Sequence, residues 1–107
     1  MIVRITRAGI RPRNEAAAFE ILRSFAASTR RPDGLDSIHV GRRASVDGDE
    51  LVAVTVWRDL EALQDSLGPD FEKPGIVPEL DRILEDVTVE LYETIVDQFD
   101  DMGTIAN

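Results

Sequence analysis

The chain opens on a clean alternation. In the stretch IVRITRA, residues 2–8, Val3, Ile5 and Arg7 fall on one face and Ile2, Arg4 and Thr6 on the other, the period of a β-strand. Pro12 then stands where it can open a helix, and Asn14 and Glu15 suit a first turn. Ala18, Leu22, Phe25 and Ala26 recur at helical spacing, with Phe19 and Ile21 widening the stripe. The helix is expected to end near Arg30 and Arg31, cations being favoured at a helix C-terminus, before the breaker PDG at 32–34. Residues 35–45 read as a second strand, and DGDE at 47–50 as the hairpin turn into a third, LVAVTVW at 51–57. That third strand is apolar on both faces, which predicts a place inside the sheet with both sides covered.

A second helix is predicted over Arg58–Leu67, with Leu60, Leu63 and Leu67 on one side, and Gly68-Pro69 interrupts it. Ile76–Glu85 supplies a further helical turn or two, with Ile76, Leu80, Ile83 and Leu84 as its buried side. Val87–Val96 then alternates, setting Val87, Val89, Leu91, Glu93 and Ile95 against Thr88, Glu90, Tyr92, Thr94 and Val96. The order strand, helix, strand, strand, helix, strand is a split βαβ: an α+β, ferredoxin-like βαββαβ fold, an antiparallel sheet with two helices on one face. The other face still carries Val, Ile, Leu and Tyr. It is too apolar to leave wet, so two sheets are expected to pack face to face in a homodimer. This assigns residues 1–96 to one domain and 97–107 to an acidic tail or dimer arm, with Phe99, Met102 and Ile105 available to anchor it on a neighbour.

Charge sharpens the picture. The 107 residues carry a formal net charge of −9. Residues 1–58 hold ten Arg against seven Asp and Glu, whereas residues 59–107 hold one Arg and one Lys against fourteen Asp and Glu. An acidic domain repels phosphate backbones, and its arginines are scattered over different elements without an aromatic platform, so no nucleic acid is expected as a partner. The asymmetry could instead help the first half of one subunit meet the second half of another. The absence of cysteine excludes disulfides, thiolate metal sites and cysteine nucleophiles, and suits a reducing compartment. Residues 1–7 have arginines inside the apolar run and no cleavage site, so they do not read as a signal peptide. No apolar run reaches the roughly 18 residues of a membrane span. A cytoplasmic protein without a membrane partner is expected.

Motifs exclude more than they assign. There is no P-loop, no GxGxxG and no GxSxG around any serine, and DGDE lacks the remaining ligand positions of a calcium loop. One histidine without cysteines leaves only an all-oxygen metal site conceivable. The side chains with chemistry to offer are therefore few. Trp57, the only tryptophan, ends an apolar strand where it runs into a helix; it can fill the core or floor a pocket, because burial and stacking use the same ring surface. His39 faces away from Ile38 and Val40, as a catalytic base or as an interface residue. Tyr92, on the more polar face of its strand, suits a hydrogen-bonding role or a dimer interface. Arg42 and Arg43 point to opposite faces, so at most one can address a given pocket.

The βαββαβ order, the chain length and the pattern W-x-D-x-E-A-L at 57–63 resemble the antibiotic biosynthesis monooxygenase family, over about residues 1–96. The resemblance implies dimeric α/β barrels in which Trp57 borders a cavity between sheet and helices, while Asp59, Glu61, Ala62 and Leu63 begin the second helix. Family members commonly carry a histidine on that helix and then a small-Pro-His-Phe step; here those positions read Asp65 and GPDF, ending at Phe71. The haem-degrading branch takes its iron ligand from that helix region, so the missing histidines argue against haem. The oxygenase branch needs neither metal nor flavin, because the substrate supplies the reducing power, so no cofactor is expected.

Such a reaction asks for a dry pocket, a group that takes a phenolic proton and fixed donors for the resulting anion. The candidates are Trp57, His39 and Tyr92 for catalysis, and Trp57, Arg7, Arg42, Asp65 and Phe71 for binding, with Arg43 a further oxyanion donor. The function expected is a cofactor-independent monooxygenase acting on an aromatic polyketide- or quinol-like small molecule near Trp57. The alternatives are a non-catalytic dimer that binds a small hydrophobic molecule or serves as an interaction module, and a non-oxidative cyclase or isomerase.

Overall fold

The structure is a computed structural model and describes residues 1–28, 30–73, 80 and 82–96. Strand β1 (Ile2–Ile10) leads through the exposed Arg11–Arg13 turn into helix α1 (Glu15–Ser28). Strands β2 (Leu35–Arg43) and β3 (Glu50–Trp57) form the hairpin, helix α2 (Leu60–Leu67) follows, and β4 (Leu84–Glu93) completes the sheet. All pairings are antiparallel, in the order β2-β3-β1-β4. The apolar third strand is thus central, and the fold is the ferredoxin-like α+β one. No described helix is long and apolar enough to cross a membrane.

Register assigns the faces. Ile2, Arg4, Thr6 and Ala8 lie opposite Trp57, Thr55, Ala53 and Leu51 on β3, and these eight form the face that the helices cover. Val3, Ile5 and Arg7 lie opposite Val56, Val54 and Val52 on the face left open. Two separate apolar clusters sit on the covered face. Ala8, Ile10, Leu51 and Leu84 pack with Ala18 of α1 and with Leu80; at the other end of the strands Trp57 packs with Ala62 and Leu63 of α2. Between them the strands present Arg4 and Thr6.

Local chemistry sets where the elements stop. Asp59 is the N-cap of α2, its Oδ1 accepting from the Ala62 N–H at 2.8 Å, so the helix begins after Arg58 rather than at it. Gly68, at φ 74°, donates to the Gln64 carbonyl and turns the chain into the short 3-10 stretch Gly68–Asp70, where the sequence expected an interruption. Of the three leucines predicted on one side of α2 only Leu63 is buried, because the helix rests on Ala62 and Leu63 and leaves Leu60 and Leu67 at its flanks. Gly34 fixes how closely α2 approaches: its φ is 83°, a Cβ there would stand 2.4 Å from that of Ala62, and its carbonyl accepts from Arg58 N at 2.8 Å.

Three further expectations need correction. Arg31 does not cap α1, which ends at Ser28; its Nε and Nη2 donate to the carbonyls of Leu35 and Asp36, tying the PDG turn to the edge strand β2. The second strand stops at Arg43 rather than Ser45, since Ser45 begins the hairpin turn by accepting at its carbonyl from Gly48 N. The last strand runs three residues earlier at both ends than its alternation suggests. A bulge at Asp86, at φ 52°, lets Glu85 and Leu84 pair with Gly9 and Ile10, and at the other end pairing stops at Ile2–Glu93, with Thr94 N closing on the Met1 carbonyl. Leu84 and Glu85 are therefore strand, not helix, and Ile95 and Val96 stand exposed beyond it. The rest of the predicted turn at 76–79, the side chains of Phe25 and Ala26, and the tail at 97–107 lie outside the described residues.

Candidate functional site

Trp57 ends β3 with 3% of its surface exposed, enclosed by Ala62, Leu63, Ile2, Leu35, Phe71 and Leu91. Its indole N–H does not face outward. It donates to Oγ1 of Thr55 at 2.9 Å, two residues back on the same face, and the Thr55 hydroxyl points on to the Arg4 carbonyl at 3.5 Å. The ring thus presents apolar surface only, with its polar end satisfied inside the fold.

Beside it, Arg4 is the residue that the sequence reading left out. Only 7% of it is exposed. Its Nε donates to the Phe71 carbonyl and its Nη2 to the Lys73 carbonyl, both at 3.1 Å, a fork that holds the segment after α2 against β1. Its Nη1 donates to Oγ1 of the buried Thr6 at 3.2 Å. No carboxylate pairs with it among the described residues. Burial lowers its pKa, although a guanidinium stays protonated through any such shift. The parity of β1 was the available signal: Arg4 shares a face with Ile2, Ala8 and Ile10.

The open face holds a second constellation. Glu90 accepts from Arg7 Nε at 3.1 Å through one carboxylate oxygen and from the Tyr92 hydroxyl through the other. The Tyr92 hydrogen bond, and then Arg7, hold the Glu90 carboxyl below the usual carboxylate range, while the same carboxylate pushes the Tyr92 phenol up. Beside this triad Val3, Ile5, Val52, Val54 and Val56 are half-buried.

The structure therefore brings Trp57 and Phe71 together, and Arg7 and Tyr92 together, on opposite faces of the sheet. The remaining candidates stand apart. His39 lies opposite Val54 on the open face, in the edge strand. Arg42 is on the covered side, its guanidinium 5.4 Å from the centroid of the Phe19 ring. Asp65 is exposed on α2. A shallow cleft of about 260 Å³ opens at the hairpin end of the strands, between Gly9, Arg43, Asp47, Asp49, Glu50 and Glu85, at the far end of β1 and β3 from Trp57. No group of three His, Asp or Glu among the described residues is arranged to hold a metal ion.

The family model described as antibiotic biosynthesis monooxygenase matches residues 1–70. No curated protein matches the sequence. Among solved structures, a Deinococcus radiodurans protein named for the same family superposes with a TM-score of 0.71 at 19% identity, over 92% of this chain and 96% of that one. A mutant of SnoaB, a cofactor-independent oxygenase from Streptomyces nogalater, gives 0.66 at 20% identity, over 90% and 94% of the two chains. The heme-degrader MhuD from Mycobacterium tuberculosis, with two hemes bound in its active site, gives 0.66 at 15% identity, over 92% and 99%. At these identities the likeness establishes the fold.

Proposed function

The chain belongs to the antibiotic biosynthesis monooxygenase family, and from that premise we propose that it is a cofactor-independent monooxygenase oxidising a flat aromatic polyketide- or quinol-like molecule on the helix-covered face of the sheet, beside Trp57. The observation that carries the reading is the packing of the Trp57 and Phe71 rings in one apolar cluster on the covered face, beside the buried Arg4 that is bonded to the Phe71 carbonyl and to Thr6. Of the two chemistries found among its structural relatives, the residues fit the oxygenase better than the haem degrader. The only histidine, His39, lies on the other face of the sheet, and Asp65 occupies the helix position where the family resemblance implies an imidazole ligand. In the oxygenase reading the ionised substrate supplies the electrons for O₂. The chain's residues hold the anion, keep water out and orient the ring.

The same reading makes the protein a homodimer. The half-buried strip of Val3, Ile5, Val52, Val54 and Val56 on the open face supports it, and it gives Tyr92, Arg7 and His39 an interface role. Sedimentation velocity would test it: Val54→Asp, which leaves the covered face untouched, is expected to yield monomer.

Activity is tested with an oxygen electrode on metal-stripped protein, using 1,8-dihydroxyanthrone as probe. The expected result is saturable uptake above the spontaneous rate, one O₂ per anthrone, with the ring CH₂ converted to a carbonyl and one water released. Uptake no faster than in buffer overturns the oxygenase reading. If Trp57 fluorescence is nonetheless quenched saturably, the protein is a binder or a non-oxidative cyclase or isomerase.

A further inference from the structure

We infer that the open face pairs with a second copy of this chain in one arrangement, β2 of each subunit lying over β4 of the other, so that His39 meets the partner's Glu90 and mild acid tightens the dimer. This rests on the homodimer reading above and adds its geometry and its regulation. Register is the first observation. Followed strand by strand across the open face, one row runs His39, Val54, Ile5, Glu90, apolar in the middle with an imidazole at one edge and a carboxylate at the other. The row at the hairpin end runs Arg43, Glu50, Gly9, Glu85 and has the same polarity at its edges.

Symmetry turns that polarity into a choice. A twofold axis along the strands, between β1 and β3, keeps each row at its own height and reverses its order. The apolar strips then meet in the middle, and each β2 edge faces a β4 edge. An axis across the strands would also bury the strips, but it lays β2 on β2 and β4 on β4, setting Glu85 and Glu90 against an edge of their own sign. Packed sheets stand roughly 10 Å apart, and the roughly 30° between them displaces an edge by about one residue, both within the reach of Glu and His side chains.

The neighbours of these two groups give the pH dependence. On its own subunit His39 has uncharged residues beside it on the open face, Ser37 and Gly41 along β2 and Val54 across it, with Arg43 two rows away. The β4 edge presents Thr88, Glu90 and Tyr92, with Arg7 of β1 on one oxygen of Glu90 and the Tyr92 hydroxyl on the other. A carboxylate has about four acceptor sites, so an imidazolium can join these two donors. The Tyr92 hydrogen bond, and then Arg7, hold the Glu90 carboxyl below the usual carboxylate range, which keeps it ionised in the mildly acidic solution where imidazoles gain a proton.

The test is sedimentation velocity on a dilution series, run from about pH 8 to about pH 6. Wild-type protein is expected to dimerise about 10- to 100-fold more tightly at the acid end, because the twofold forms the bridge twice. His39→Gln should keep the weaker affinity throughout and His39→Lys the tighter one, both at an exposed position. The arrangement is read separately with a bismaleimide of about 10 Å reach, since the chain has no cysteine of its own. A third row runs Gly41, Val52, Arg7, Thr88, and a Cβ at Gly41 would meet no atom within 4 Å. Gly41→Cys and Thr88→Cys are expected to crosslink when mixed and neither alone. A dimer whose affinity is the same at both ends of the pH range overturns the inference and leaves the homodimer standing. So does crosslinking by either variant alone, or a dimeric mixture that does not crosslink. Protein that stays monomeric at every pH overturns both.

Discussion

Arg4 and Arg7 stand three residues apart on the same strand, and the sheet separates them completely. Arg7 leans on a carboxylate at 3.1 Å with 45% of its side chain exposed, where water and salt screen whatever it contributes. Arg4 is buried against two carbonyls and a hydroxyl, with no carboxylate among the described residues. The difference comes from one odd step in a period of two, which sends one cation beneath the helices and the other onto the open face. An arginine's role follows from its parity relative to its apolar neighbours more than from its presence in the sequence.

The contrast predicts unequal consequences of disruption, the largest where the covered face is opened. Trp57→Ala is expected to cost about 3–5 kcal/mol, the range for truncating a large buried aromatic. Urea unfolding measures it. A loss well under 1 kcal/mol would mean that the ring closes nothing, and the covered face would then be no better packed than the open one.

The second comparison is between the arginines themselves. Arg4→Met leaves the Phe71 and Lys73 carbonyls without their donors and is expected to destabilise by about 1–3 kcal/mol. Arg7→Met, removing an exposed partner, should fall within the scatter of ordinary surface substitutions. Unfolding of both variants under the same conditions decides it, and equal losses would erase the distinction between the faces.

How much of this was legible in the sequence follows from the same parity. The alternation of residues 2–8, the doubly apolar stretch 51–57 and the turn residues between them are short-range signals, and the element order and sheet faces came directly from them. The ends of elements were harder because tertiary contacts set them. Nothing local says that Asp86 bulges so that Leu84 can pair with Ile10, or that Arg31 serves an edge strand instead of its own helix. The site was less legible still. Trp57 and Phe71 could be placed together from the family pattern, but the Arg4 fork joins positions 67 and 69 residues apart, a pairing that no periodicity announces. Glu90 escaped for the same reason: its grip on Arg7 spans 83 residues.

On the open face the effects are smaller and depend on pH. Glu90 is held below the usual carboxylate range by Tyr92 and then Arg7, so the unfolded chain binds its proton more readily than the folded one. Its contribution is therefore complete above the ordinary carboxylate pKa and lost as the pH falls through the lower folded value. Urea unfolding of wild type and Glu90→Gln across that acidic range should show the two converging, and doing so at modest salt. A constant offset would mean that the carboxylate's charge is not what matters there.

Tyr92 permits the finest reading, because it is the only tyrosine and its phenolate absorbance reports one group. The neighbouring carboxylate raises its pKa above the ordinary 10.0, so the phenol's contribution to stability is intact below that value and fades as the pH rises through the folded one. Glu90→Gln should bring the titration midpoint back towards the ordinary value, and Arg7→Met should move it further up, since the positive charge of Arg7 favours the phenolate. Dilution adds a further test. If two open faces meet in a dimer, Tyr92 loses water on association and its midpoint rises with protein concentration; a midpoint independent of concentration over the whole range would leave the open face wet and confine the site to one subunit.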